Sequence, residues 1–74
     1  MNRTISKKVA DEAVFENAAQ IQAILENALV AVIDAGQADS RNGAMGAMLN
    51  LGENLKAAQA LYDAAVFFHR NGDK

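Results

Sequence analysis

Few side chains in this sequence could carry chemistry. His69 is the single histidine, and cysteine is absent. Disulfides and thiolate metal sites are therefore excluded, and one imidazole leaves no usual zinc ligand set. The carboxylates Glu16, Glu26 and Asp34 are the remaining candidates for general acids, or for a mimic of nucleic-acid charge. Paired catalytic carboxylates face each other across a pocket. On one helix, ten and eight residues apart, these three read as a solvated face. A phosphoacceptor histidine needs a marked helix-surface setting, whereas His69 lies between Phe67–Phe68 and Arg70 near the chain end. No nucleophile elbow, phosphate loop, metal-ligand spacing or dinucleotide fingerprint is present. The expectation is a protein that is not an enzyme and that takes no cofactor and no metal.

The elements that would position these groups are helical. Proline is absent, and strong helix formers fill both halves of the chain. No strand-like alternation persists. The fold class expected is all-α, an antiparallel two-helix hairpin in a single domain spanning 1–74. Residues 1–8 form a basic tail with Arg3, Lys7 and Lys8. Helix one spans 9–35, the turn 36–42 and helix two 41–70. Asp11 is the expected N-cap of helix one, and Gly36 its left-handed C-terminal residue. A start at Ser6 would place Lys7 and Lys8 unfavourably at the positive end of the helix dipole. Asp39 or Ser40 caps helix two. Glu53 and Lys56 are spaced to pair.

In helix one, Val14, Ala18, Ile21, Leu25, Ala28 and Val32 recur at steps of four and three, widened by Ile24, Leu29 and Ile33. In helix two the matching row is Met48, Leu51, Leu55, Ala58, Tyr62 and Ala65. The apolar arc of helix one is too wide for one neighbour. Two helices of roughly 40 Å form a rod with no enclosed core, at 1.5 Å per residue. A 74-residue chain also supplies only about 3–5 kcal/mol from its own core. Two rods packed face to face make a four-helix bundle. The expected partner is therefore a second copy. Its dimer core draws on Val14, Ile21, Leu25, Val32, Leu51, Leu55 and Tyr62.

Met45 and Met48 lie beside Gly43, Gly46 and Gly52, a locally unstable, adaptable segment. With Phe67 they are the candidate surface for another protein. The glycines either serve a tight crossing or let this segment refold on a partner. Phe15 should meet Phe67–Phe68 at the open end of an antiparallel hairpin.

Net charge is −2. With no basic stripe interleaved with aromatics, nucleic acid is disfavoured as a partner. The alternative reading is a dimeric DNA-associated regulator using the basic N-terminal tail. A third, a small-molecule-binding bundle, would need a pocket of a few hundred Å³. The most apolar run, Ala28 to Ile33, is too short to span a bilayer. The expectation is a cytoplasmic protein with no membrane contact.

The run Met48-Leu49-Asn50-Leu51-Gly52-Glu53-Asn54-Leu55 follows an alanine-rich acidic helix and a polar turn with Arg41. Over roughly Val14 to Val66 it resembles small uncharacterised helical-hairpin proteins of pseudomonads and their phages. The resemblance implies a bacterial or phage accessory protein, a small regulator or inhibitor that acts by binding another protein. It carries no functional residue across.

Overall fold

A computed structural model describes residues 5–72 as two long antiparallel helices. Helix α1 runs Lys7–Gly36 and α2 runs Arg41–Asn71. Gln37 to Ser40 joins them. Residues 1–4, Arg3 among them, lie outside the described residues.

α1 begins two residues before the expected start, because Ser6 rather than Asp11 is its N-cap. The Ser6 hydroxyl accepts from the Val9 N–H. The unfavourable cation in the first turn is offset locally: Lys7 Nζ donates to Asp11 Oδ2 at 2.7 Å, one turn on. That hydrogen bond, then the charge itself, holds the exposed Lys7 ammonium above its ordinary range. Residues 5–8 are accordingly no tail. Ile5 N–H donates to Asn71 O at 3.3 Å and ties the chain start to the end of α2.

α1 ends without a left-handed residue. Gly36 is its last helical position, and the Gln37 N–H closes the final turn onto the Ile33 and Asp34 carbonyls. Ser40 caps α2, accepting from the Gly43 N–H at 3.1 Å. The Glu53–Lys56 pair closes at 3.7 Å on the exposed side.

The helices meet along two rows of three-and-four spacing. On α1 these are Ala10, Val14, Asn17, Ile21, Ile24, Ala28, Ala31 and Ala35. On α2 they are Ala44, Ala47, Leu51, Asn54, Ala58, Leu61, Ala65 and Phe68. Val14, Ile21, Ala28, Leu51, Ala58 and Ala65 stand where the sequence places them. Ala18, Leu25, Val32, Met48, Leu55 and Tyr62 do not. Each lies one position further round, outside the hairpin. Alanine decides the phase. Small side chains let two helices approach closely, and the seam takes the alanines in preference to the larger aliphatics.

Gly72 shows how close that approach is at the open end. A Cβ there would lie 2.7 Å from the Ala10 Cβ and 3.0 Å from the Phe68 carbonyl oxygen. Its φ of −73° is ordinary, so glycine is needed for space.

The consequence is a fold with almost no interior. The fully buried hydrophobic residues are Ala10, Ala28 and Ala31, at about 0.8 kcal/mol per buried methyl group. Every side-chain hydrogen bond and ion pair among the described residues stays within one helix or its cap. The molecule measures 57 × 20 × 10 Å with a radius of gyration of 16.8 Å. A compact domain of this length would have about 11 Å.

One seam residue works against the hairpin. Asn17 Nδ2 is buried with no hydrogen-bond partner, a state that costs about 1–3 kcal/mol. Asn17→Leu should therefore stabilise the protein by about that amount, read as a higher urea midpoint at unchanged m-value. A lower midpoint would show that the amide finds a partner in the folded state.

Candidate interaction surface

The residues displaced from the seam form a surface of their own. Ala18, Leu25 and Val32 each follow a seam residue of α1 by four positions. Met48, Leu55 and Tyr62 do the same on α2. The two helices are antiparallel and share one heptad phase, so this displacement carries both rows to the same side of the hairpin. Phe15 and Leu29 extend the α1 row, and Met45, Gly52 and Val66 the α2 row, at the next helical spacing. At the open end the shared side is visible directly: Asp11 and Phe15 of α1 line one cleft with His69 and Arg70 of α2.

This outer face is apolar and exposed. Leu25 is 46% exposed, Leu55 48% and Tyr62 57%. Between Phe15 and Gly36 on α1, and between Met45 and Val66 on α2, the face carries no charged residue. Its polar interruptions are Gln22 and Gln59. Gln22 Nε2 donates to Glu26 Oε2 at 3.4 Å and Gln59 Nε2 to Asp63 Oδ1 at 3.0 Å, both along their own helix. The opposite side of the hairpin is unlike it, with Glu16, Gln20, Asn27, Asn50 and Glu53.

Seven residues expected in a dimer core thus divide. Val14, Ile21 and Leu51 lie between the helices of one chain, while Leu25, Val32, Leu55 and Tyr62 lie on the outer face. The three expected partner-surface residues divide too. Met45 and Met48 are continuous with the outer face, whereas Phe67 projects from the far side of α2 with its ring against Phe68, centroids 5.7 Å apart and edge-to-face. Phe15 does not join them. It is 76% exposed and belongs to the outer face. The aromatic cap expected at the open end is absent because Phe68 alone fills the seam there.

The open-end cleft has a volume of about 550 Å³. It gathers the Lys7–Asp11 pair, His69 and Arg70 around Phe15, and no hydrogen bond joins His69 to Asp11. Among the described residues no three histidines or carboxylates converge as metal ligands. Of the basic residues suggested for DNA contact, Lys7 is engaged by Asp11, and Lys8 lies in the first turn of α1. α1 as a whole is long and apolar enough, by length and composition, to cross a membrane. The short run Ala28 to Ile33 understates it, because the helix adds Ile21, Ile24 and Leu25. Gln22, Glu26 and Asn27 would then sit at mid-bilayer, where a charged group costs about 2.5–3.5 kcal/mol or more.

The fold and its surface define a helical hairpin with one open apolar flank. Comparison with known proteins finds no matching family, no matching curated protein and no matching solved structure.

Proposed function

We propose that this protein is a non-enzymatic helical interaction module that works as a homodimer, two hairpins burying their outer faces on each other in a four-helix bundle. The bundle then acts as a small regulator or inhibitor that binds and occludes another protein. The observation that supports this reading is the outer face itself: apolar, uncharged from Phe15 to Gly36 on α1 and from Met45 to Val66 on α2, and carried by a hairpin whose fully buried residues are alanines. Area argues the same way. The chain exposes 5731 Å². A folded protein of 7.9 kDa ordinarily exposes about 4,400 Å². The excess, about 1,300 Å², exceeds the roughly 800 Å² per partner of a standard interface and falls in the obligate range, which begins at about 1,000 Å² per partner. Pairing of outer faces would consume Met45 and Met48 but leave Phe67, on the far side of α2, free for the occluded partner.

Light scattering behind size-exclusion chromatography, with helicity followed on dilution, tests the reading. The expected result is a mass twice the chain's 7.9 kDa, with helix lost as the dimer dissociates. A monomer that stays helical at every dilution would overturn it. So would a monomer that gains helix only on phospholipid vesicles, which would assign the outer face to a membrane surface.

A further inference from the structure

Three of the glycines fall in the first half of α2, and two of them have no explanation within the chain. An added Cβ at Gly46 or Gly52 meets nothing within 4 Å, and neither residue has a positive φ. A tight crossing of α1 and α2 therefore accounts for neither. Glycine in a helix interior costs about 0.5–1 kcal/mol relative to alanine. Gly46 lies off the outer face. Gly52 lies on it, half-buried between Met48 and Leu55, and leaves a gap in an otherwise filled apolar row. The same row carries one large ring, Tyr62, that projects into solvent.

We infer that Gly52 is the notch that receives Tyr62 of a second copy, in a dimer whose two-fold axis runs perpendicular to the helices. The inference rests on the dimer reading and adds its geometry. Gly52 and Tyr62 stand five residues either side of Ala57, and α2 is centred on residue 56. An axis beside Ala57 therefore seats both rings in both notches and also overlaps the two hairpins almost end to end. The loop end of one copy lies beside the open end of the other. The polar interruptions fit this axis. Gln59 lies two residues from Ala57, and Gln22 lies at the centre of α1. The amides gather where the copies cross, the position at which a polar group fixes register. The area exposed beyond that of a compact fold is what a second copy of the chain would cover, and the stretch of the face from Met45 to Val66, which carries no charge, offers itself no repulsion.

The test is the dimer dissociation constant of the full chain by sedimentation, for Gly52→Ala, Tyr62→Ala, the double variant and Gly46→Ala. Filling a packed notch with a methyl group should weaken the dimer about tenfold or more, although alanine favours the helix. In the Tyr62→Ala background that penalty should vanish. The two residues lie about 15 Å apart along one helix at 1.5 Å per residue, so such coupling must pass between copies. Gly46→Ala, which only favours the helix, should raise thermal stability and tighten the dimer, opposite in sign to Gly52→Ala. If the chain dimerises but Gly52→Ala tightens the dimer, or weakens it equally with and without Tyr62, the notch is wrong and the dimer stands. A chain that never dimerises removes both.

Discussion

Leu25→Asp should abolish dimerisation and helical structure together, although Leu25 is 46% exposed on the hairpin and takes no place in its seam. On a solitary hairpin the substitution would be a surface change, within about 0.5 kcal/mol of neutral. In the bundle the same side chain is interior, and an unpaired carboxylate there costs several kcal/mol or must take up a proton. A core worth about 3–5 kcal/mol cannot absorb that. Leu55→Asp, 48% exposed on the α2 row of the same face, should behave alike. Val30→Asp is the control: Val30 is exposed and apolar, but it lies on the side of α1 turned away from both the seam and the outer face. Far-UV circular dichroism and sedimentation at one concentration read the series. If Leu25→Asp stays helical and dimeric, copies do not meet through this face. If Val30→Asp also unfolds the chain, the effect is a general loss of apolar surface.

The same residues show how much was legible in the sequence. The hairpin was: two long runs of helix formers without proline, broken by a polar segment with Asp39 and Ser40, allow little else. The Ser40 cap and the Glu53–Lys56 pair follow from local spacing and occur as spacing dictates. The phase of the seam did not follow. Val14, Ile21 and Ala28 fit a heptad completed equally well by Ala18, Leu25 and Val32 or by Asn17, Ile24 and Ala31. Size favours the first set as a core. Helix approach favours the second, even with Asn17 in it. A wide apolar arc serves two neighbours, and the sequence does not say which neighbour belongs to the same chain. The start of α1 departs from expectation for a similar reason: the dipole penalty on Lys7 is plain in the sequence, but the Asp11 carboxylate that suits a cap instead offsets that penalty from the first turn. Proximity at the open end pairs Phe15 with Phe67 and Phe68, whereas its place on the helix turns it to the outer face.

Ala31→Leu should destabilise the protein nearly as much as a charge on the outer face, for the opposite reason. Ala31 is 1% exposed and is the most buried residue described. It stands less than two turns before the loop, where Gln37 to Ser40 allows the helices little freedom to part. Three added carbons must push α1 from α2 or take a strained rotamer, at about 1–3 kcal/mol. Separation there also tilts the two outer rows away from each other, so the loss extends to any second copy seated on them. The measurement is the melting temperature at fixed concentration, which should fall by more than for Ala23→Leu, a substitution of the same chemistry at an exposed position of α1. The sign is decisive. Were hydrophobic bulk all that this small fold lacked, Ala31→Leu would raise the melting temperature and the larger aliphatics would be the true intrachain core. A fall means that the alanines set the distance between the helices, and that the large residues stay outside because their partner is not in the same chain.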